Sequence, residues 1–384
     1  MQAQIGAVKG RHSSMITAAE AGKLAAVHNI HPGVLSLYLA VPLEPAELRS
    51  LPARAEDLIA AAETAAASRG RVPAADRSWV RETLEISGRD CLGRTIAMFA
   101  CADAGLLEAF PIPGRMPDRA VLGIRPHIRP LLAALQRYPA YRVAVVDRRH
   151  ARLYRIAGDE TQTVVAPVAA TVRSTGFGGW YGLETYRVQQ RAARLARHHY
   201  RDTAAMLEKA MAGGEPEPLV IGGHDEGIRQ LLASLPPGTQ EHFAGSFAVD
   251  PGTLTAARVR ELAAPVVARW AEQRAERLAQ RVADIRPGGL GATGLPACLA
   301  AVNASAIHTL IVPDDTLIPG YECGRCGALA VDADGCPDWG VAALPVPDAI
   351  DEIVARTLED GGQVWPVHDG PSRIAARLRF PVTQ

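Results

Sequence analysis

A helical pattern runs from about Glu184 to Met211 and stops at Gly213-Gly214, where glycine closes a helix C-terminus. At about 1.5 Å per residue this helix is roughly 40 Å long. Short apolar strand patterns lie on either side of it, at Tyr141–Ile156 and at Pro218-Leu-Val-Ile-Gly-Gly223. A strand, a crossing helix and another strand make an α/β sandwich around one sheet. In front of the helix stands a glycine-rich stretch, Thr171 to Gly182, with Phe177, Gly178, Gly179, Trp180 and Tyr181 at its tip. Behind the tip, Arg187, Arg191, Arg194, His198 and Arg201 follow spacings of four, three, four and three, which puts all five on one helix face. A glycine-aromatic tip on a basic-striped helix suits RNA, whose phosphates take cations and whose unstacked bases take ring faces. The plainer alternative is a solvated basic face behind a loop that closes a turn.

The charge balance limits the partner. Lys and Arg number 41 against 41 Asp and Glu, so no global basic field exists and RNA affinity has to come from the local stripe. No run of about eighteen uncharged apolar residues is present, which argues against a transmembrane helix. The first residues, Met1 to Lys23, lack the continuous apolar segment of a secretory signal. Three of the six cysteines, Cys323, Cys326 and Cys336, crowd one segment, a pattern of metal binding in a reducing cytoplasm rather than of a disulfide framework.

Taken in order, the chain divides into an N-terminal α/β segment 1–138, a central α/β domain 139–264 and a C-terminal α/β domain 265–384. The first thirty residues read as a mobile arm. A strand at Val34–Val41, Ala-rich helical stretches at 45–69, a helix from Asp76 with Asp76 as its cap, and a hairpin of Thr95–Cys101 with Leu106–Phe110 follow. Pro111 to Pro117 is a break, and a helix near 128–137 ends the segment. The central domain opens on a hairpin whose turn is Asp147-Arg-Arg-His150 and continues through the long helix, the strand at 219–223 and a helix near 225–234, with Asp225 as its N-cap. His150 in that turn and His224-Asp225-Glu226 at the strand end have ordinary turn and capping explanations, although strand ends of open α/β sheets are common ligand positions. Thr253–Ile285 is helical, and Pro265 within it marks the second boundary. The last domain has helices near 295–304 and 348–359, strands at 307–312, 363–367 and 374–380, and a cysteine-bearing insert at 320–340.

This order of signals resembles the archaeo-eukaryotic class-1 peptide release factor and Pelota superfamily in its bacterial branch. Val143–Asp147 with Ala151–Tyr154, Thr175–Gly179 with the helix ending His198-His-Tyr200, Leu219–Gly223, Ile307–Val312 and Gly370–Phe380 carry the resemblance. It covers 139–384; segment 1–138 matches weakly and has no stop-codon-reading motif. The resemblance implies a central domain of RNase H-like topology and a third domain like the kink-turn-binding ribosomal proteins, with the cysteine ribbon as an insert. It also implies the ribosome as partner, with rRNA and tRNA in or near the A site, together with a translational GTPase, and neither DNA nor a membrane.

In release factors the loop ends Gly-Gly-Gln and helps to place the water that attacks the peptidyl-tRNA ester. Here Gly178-Gly179 is followed by Trp180, and Gln189 and Gln190 lie about two turns into the helix. The resemblance then implies a ribosome-binding factor of the Pelota and Balon type, acting in hibernation or rescue without hydrolysis. The alternative is a peptidyl-tRNA ester hydrolase or tRNA-cleaving rescue enzyme with a rearranged loop. Gly361-Gly362-Gln363 follows an amphipathic helix and reads as its C-terminal turn.

Cys323-Gly-Arg-Cys326 has zinc-knuckle spacing, and Cys336 offers a third thiolate. Trp339 stands where a ribbon would carry its fourth cysteine. Asp338, His308 and His368 all remain open as fourth ligand, for a structural zinc ion rather than a catalytic one.

Overall fold

The computed structural model describes residues 18–382 apart from 32, 67–69, 159, 166–182, 213–216, 252–253, 286–288, 315, 334–342 and 368–373. The fold is mixed α/β, as the alternation of strand and helix patterns requires.

The chain begins with α1 (Ala18–Ala25), β1 (Val34–Ala40), α2 (Leu51–Ala65), α3 (Ala74–Ser87), the hairpin β2 (Thr95–Cys101) and β3 (Leu106–Ile112), β4 (Arg119–Gly123) and α4 (Arg129–Arg137). Its four strands form an antiparallel sheet in the order β3-β2-β1-β4. Alternation along β1 sends Leu35, Leu37 and Leu39 to one face, under α2 and α3, and Val34 and Tyr38 to the other. Both faces are buried, so β1 and β2 read as nearly continuous apolar runs. Asp76, expected as a helix cap, is instead the third residue of α3. Pro73 holds the cap position, and the buried Asp76 carboxylate accepts the Ala102 N–H at 3.0 Å.

Next come β5 (Tyr141–Val146), β6 (Ala151–Ala157), β7 (Glu160–Val165), α5 (Leu183–Met211), β8 (Leu219–Gly223), α6 (Asp225–Ser234), the single turn α7 (Pro237–Gln240), β9 (Phe243–Ala248) and α8 (Ala256–Asp284). They build one mixed sheet, β7-β6-β5-β8-β9, with β5, β8 and β9 parallel and β5, β6 and β7 antiparallel. Tyr141, Val143 and Val145 pack with Val259, Ala263 and Val266 of α8 on one face. Ala144 and Val146 pack with Tyr200 and Leu207 of α5 and Ile228 of α6 on the other. The result is helix, sheet, helix in three layers. α8 runs unbroken through Pro265. A proline inside a helix forfeits one backbone hydrogen bond, but Val259, Ala263, Val266 and Val267 on both sides of it are buried in one core, and that packing carries the helix across.

The last stretch contains β10 (Gly291–Thr293), α9 (Leu295–Asn303), β11 (Ile307–Pro313), β12 (Gly320–Cys323), β13 (Leu329–Ala330), β14 (Ala343–Val346), α10 (Ala349–Glu359), β15 (Gln363–Val367) and β16 (Ala375–Leu378). A four-stranded sheet β10-β16-β11-β15 and a three-stranded antiparallel ribbon β13-β12-β14 result. Gly361-Gly362 follows the end of α10, and the Gly362 N–H returns to the Thr357 carbonyl at 2.7 Å, so the literal Gly-Gly-Gln is a helix-ending turn, as expected.

Two compact units hold these elements: Arg137–Gln273, and Met1–Gln136 together with Arg274–Gln384. The segments expected as first and third domains therefore share one unit, and one apolar cluster runs from Val34 and Phe99 to Leu310, Ile350 and Ile353. A buried polar network joins them as well. Arg129, fully buried, donates to the carbonyls of Pro313 (2.8 Å) and Thr316 (2.6 Å) and to Asp348 Oδ2 (2.5 Å). His127 Nδ1 lies 3.1 Å from Asp351 Oδ2, its backbone N–H donates to Ser36 Oγ at 2.8 Å, and its carbonyl accepts from the Tyr38 hydroxyl at 2.6 Å. Burial pushes the Asp348 carboxyl above its ordinary value against the pull of Arg129. Burial acts on Asp351 in the same sense, but His127 and Arg129 together outweigh it and hold that carboxyl low.

No helix among the described residues is long and apolar enough to cross a membrane.

Candidate nucleic-acid interface

α5 carries the site. Its 29 residues span about 44 Å, and Tyr200, Thr203, Ala204 and Leu207 bury one side of it against the sheet. On the other side Arg191, Arg194, His198 and Arg201 are exposed, as their spacing predicts. Arg191 and Arg194 make no ion pair or hydrogen bond with any described residue, so their guanidinium groups are available to a partner. His198 differs: its Nδ1 lies 2.7 Å from Asp202 Oδ2, one turn on, which partly offsets its charge when protonated. Arg187 lies in α5, with its side chain outside the described residues, and Phe177, Gly178, Gly179, Trp180 and Tyr181 all fall outside them. Arg197 is a fifth exposed basic group that the stripe reading passed over. It sits three residues after Arg194 and four before Arg201, and following His198 at the same point of the spacing hid it.

Where α5 passes the C-terminal ends of β5 and β8, a cleft of about 370 Å³ opens, lined by Arg148, Arg149, Tyr200, His224, Glu226 and Gly227 among others. The two strands are parallel neighbours. β5 connects onward to β6 on one side, and β8 connects through α6 to β9 on the other, so the cleft lies where the connections diverge. Glycine is required here. Gly223, at φ +156°, would place a Cβ 2.4 Å from the Val146 carbonyl oxygen, closing β8 against β5. The turn after β5 is built by Asp147, whose carboxylate accepts the N–H groups of Arg149 (2.5 Å) and His150 (2.6 Å) and lies 3.2 Å from His150 Nδ1. Although burial raises Asp147, those N–H groups and His150 prevail and hold it below the usual carboxylate value. α6 starts at Asp225, one residue earlier than expected: His224, not Asp225, occupies the N-cap position, and it makes no side-chain capping bond.

Two of the three cysteines expected as zinc ligands lie among the described residues. Cys323 is buried at the end of β12 and Cys326 is exposed in the following turn. The Gly327 N–H donates to the Cys323 carbonyl at 2.8 Å, and Gly327 takes φ +73°. Cys336, Asp338 and His368 lie outside the described residues. His308 is exposed on β11, with Nδ1 2.8 Å from its neighbour Thr309 Oγ1. Among the described residues the one compact group of metal-ligating side chains is His127, Asp348 and Asp351, and the buried Arg129 cation already pairs with its carboxylates.

Residues 126–268, which include nearly all of the central unit, match the family described as bacterial archaeo-eukaryotic release factor family 10. Over that stretch the central unit is similar to a bacterial archaeo-eukaryotic release-factor domain. α5, its exposed arginines and the strand-end cleft all lie within the matched residues. The chain is similar to a model of ribosome-bound archaeal Pelota and ABCE1, at 16% identity over 76% of this chain and 78% of that one, with a TM-score of 0.39. Crystalline Archaeoglobus fulgidus Pelota is similar at 14% identity over 97% and 95%, with a TM-score of 0.36. Dom34 of S. cerevisiae, described as a translation termination-like factor interacting with Hbs1, is similar at 10% identity over 76% and 82%, with a TM-score of 0.40. Among curated proteins none matches the chain.

Proposed function

We propose that the protein is a ribosome-associated translation factor that occupies the A site in hibernation or rescue and leaves the peptidyl-tRNA ester intact. The observation that carries this reading is the match of 126–268 to release factors together with arginines on the exposed side of α5 that are unpaired among the described residues. Phosphates of rRNA or tRNA are the partners such a stripe fits. Absence of hydrolysis rests on Trp180, which follows Gly178-Gly179 where a hydrolytic loop carries glutamine. An indole has one donor and no acceptor, so it cannot take a proton from water, but its face can stack on a base. Function on ribosomes puts the protein in the cytoplasm, and a translational GTPase is the delivery partner belonging to the same proposal.

Sedimentation with ribosomes from stressed and growing cells, followed by peptide release from stalled complexes, tests it. The expected result is co-sedimentation without release. Rapid release that disappears on changing Gln189 or Gln190 would establish the hydrolase instead, and failure to sediment with either ribosome population would remove the ribosomal reading altogether.

A structural zinc ion held by Cys323, Cys326 and Cys336 is the cofactor we propose, stabilising the ribbon of β12–β14 rather than any reaction. The purified protein is expected to contain about one equivalent of zinc, with chelation loosening 320–340. Metal-free protein in which all three thiols alkylate at once would exclude the site.

A further inference from the structure

We propose that the cleft between the ends of β5 and β8 binds the phosphate group of a nucleotide, with Arg148 and Arg149 as its cations and the Tyr200 hydroxyl and the first N–H groups of α6 as its donors. The inference is independent of the ribosomal reading, because it concerns groups on the strand-end side of the domain and not the α5 stripe.

Four observations converge on an anion. First, Tyr200 is 3% exposed, yet its hydroxyl reaches the cleft, 3.2 Å from where a Cβ on Gly227 would stand, and it has no hydrogen-bond partner among the described residues. A phenol buried to that degree ordinarily satisfies its hydroxyl, so one left open toward a cavity points to a ligand atom there. Second, α6 is ten residues long and lacks a side-chain cap, so the N–H groups of its first turn have no partner in the helix and Gly227 presents that turn to the cleft. Uncapped N–H groups and the helix dipole both favour a phosphate. Third, neither Arg148 nor Arg149 has a side-chain hydrogen bond or ion pair with a described residue, and both line the cleft. Fourth, the carboxylates that line it are already engaged. Asp147 accepts two backbone N–H groups and faces His150, while Glu226 is drawn along its own helix to Arg229 (2.8 Å) and Gln230 (2.9 Å). Each acid is thus already hydrogen-bonded to partners of its own, and the two guanidinium groups have no paired carboxylate among the described residues.

Size narrows the ligand. A cleft of about 370 Å³ is at the small end of the range for organic ligands, enough for a phosphate with its nucleoside. That chemistry is shared by a free mononucleotide and by the phosphorylated end of an RNA strand.

Calorimetric titration of the full-length protein with AMP, adenosine and inorganic phosphate tests the site, beside a short oligoribonucleotide with and without a 5′-phosphate. AMP is expected to bind and adenosine not. Arg148→Ala and Arg149→Ala are each expected to weaken AMP on the order of tenfold, as loss of a charge-assisted hydrogen bond does. Tyr200→Phe, which keeps the buried ring, is expected to weaken it about fivefold with the melting temperature unchanged. Tighter binding of AMP than of the 5′-phosphorylated strand identifies a free nucleotide as the source, and the reverse order identifies an RNA end. If neither AMP, inorganic phosphate nor the phosphorylated strand binds, or if AMP binds the Arg148→Ala/Arg149→Ala protein as tightly as wild type, the proposal is wrong. No ribosomes enter the experiment, so that failure would leave the ribosomal reading standing.

Discussion

Arg129→Ala is expected to destabilise the unit formed by the two ends of the chain by about 3–5 kcal/mol, the cost of removing one partner from a buried ion pair. The guanidinium is fully buried and serves three acceptors on the later segment: the carbonyls of Pro313 and Thr316 and the Asp348 carboxylate. Alanine leaves two carbonyls without donors, a buried carboxylate without a cation, and a cavity the size of the side chain. Asp348 can recover part of the loss by taking up a proton, since burial already pushes its carboxyl upward. Arg129→Lys keeps the charge but cannot reach three acceptors in one plane, and should fall between wild type and alanine. Thermal unfolding checks this, with an expected drop on the order of 10 °C in the transition of that unit. A drop of less than 2 °C would mean that the apolar cluster alone joins the segments.

That network was not legible in the sequence, and the reason is distance along the chain. Arg129 and Asp348 are 219 residues apart, and no periodicity connects them. Each looked ordinary by itself, an arginine near the start of one helical pattern and an aspartate at the start of another. Local signals fared better. The strands at 34–40, 95–101 and 219–223 were readable because alternation and bounded apolar runs depend only on near neighbours. β7 was missed because Glu160-Thr-Gln-Thr precedes its valines, and an edge strand needs no apolar face to pair with β6. Pro265 misled for the opposite reason: its local rule is sound, but buried valines on both sides override it.

The site divides the same way. Spacing alone placed Arg191, Arg194, His198 and Arg201 on one face, because helical geometry converts sequence separation into direction. The cleft could not be found so, since its walls come from the turn after β5, from α5 and from the start of α6. His150 and His224 were each noticed and each had a sufficient local explanation. Only the parallel pairing of β5 with β8 brings them to one cavity.

Replacing Arg191, Arg194 and Arg197 together by alanine is expected to weaken ribosome association on the order of a hundredfold near 0.1 M salt and to flatten its salt dependence. Each arginine that neutralises a phosphate releases condensed counterions and adds about 0.7–0.9 to the slope of log affinity against log salt. Three lost contacts therefore reduce the slope by about 2–3. The three side chains are exposed and none has an ion pair among the described residues, so their removal leaves no buried group unsatisfied and the fold should be unaffected. Arg258→Ala on α8 is the control, because that arginine is already paired with Glu261 at 2.7 Å. It should change neither affinity nor slope. Binding at several salt concentrations separates the two explanations of the stripe. A parallel loss of affinity with an unchanged slope would show that these arginines act without neutralising phosphates. Unchanged binding would make the stripe a solvated helix face, and the RNA contact would have to come from elsewhere in the domain.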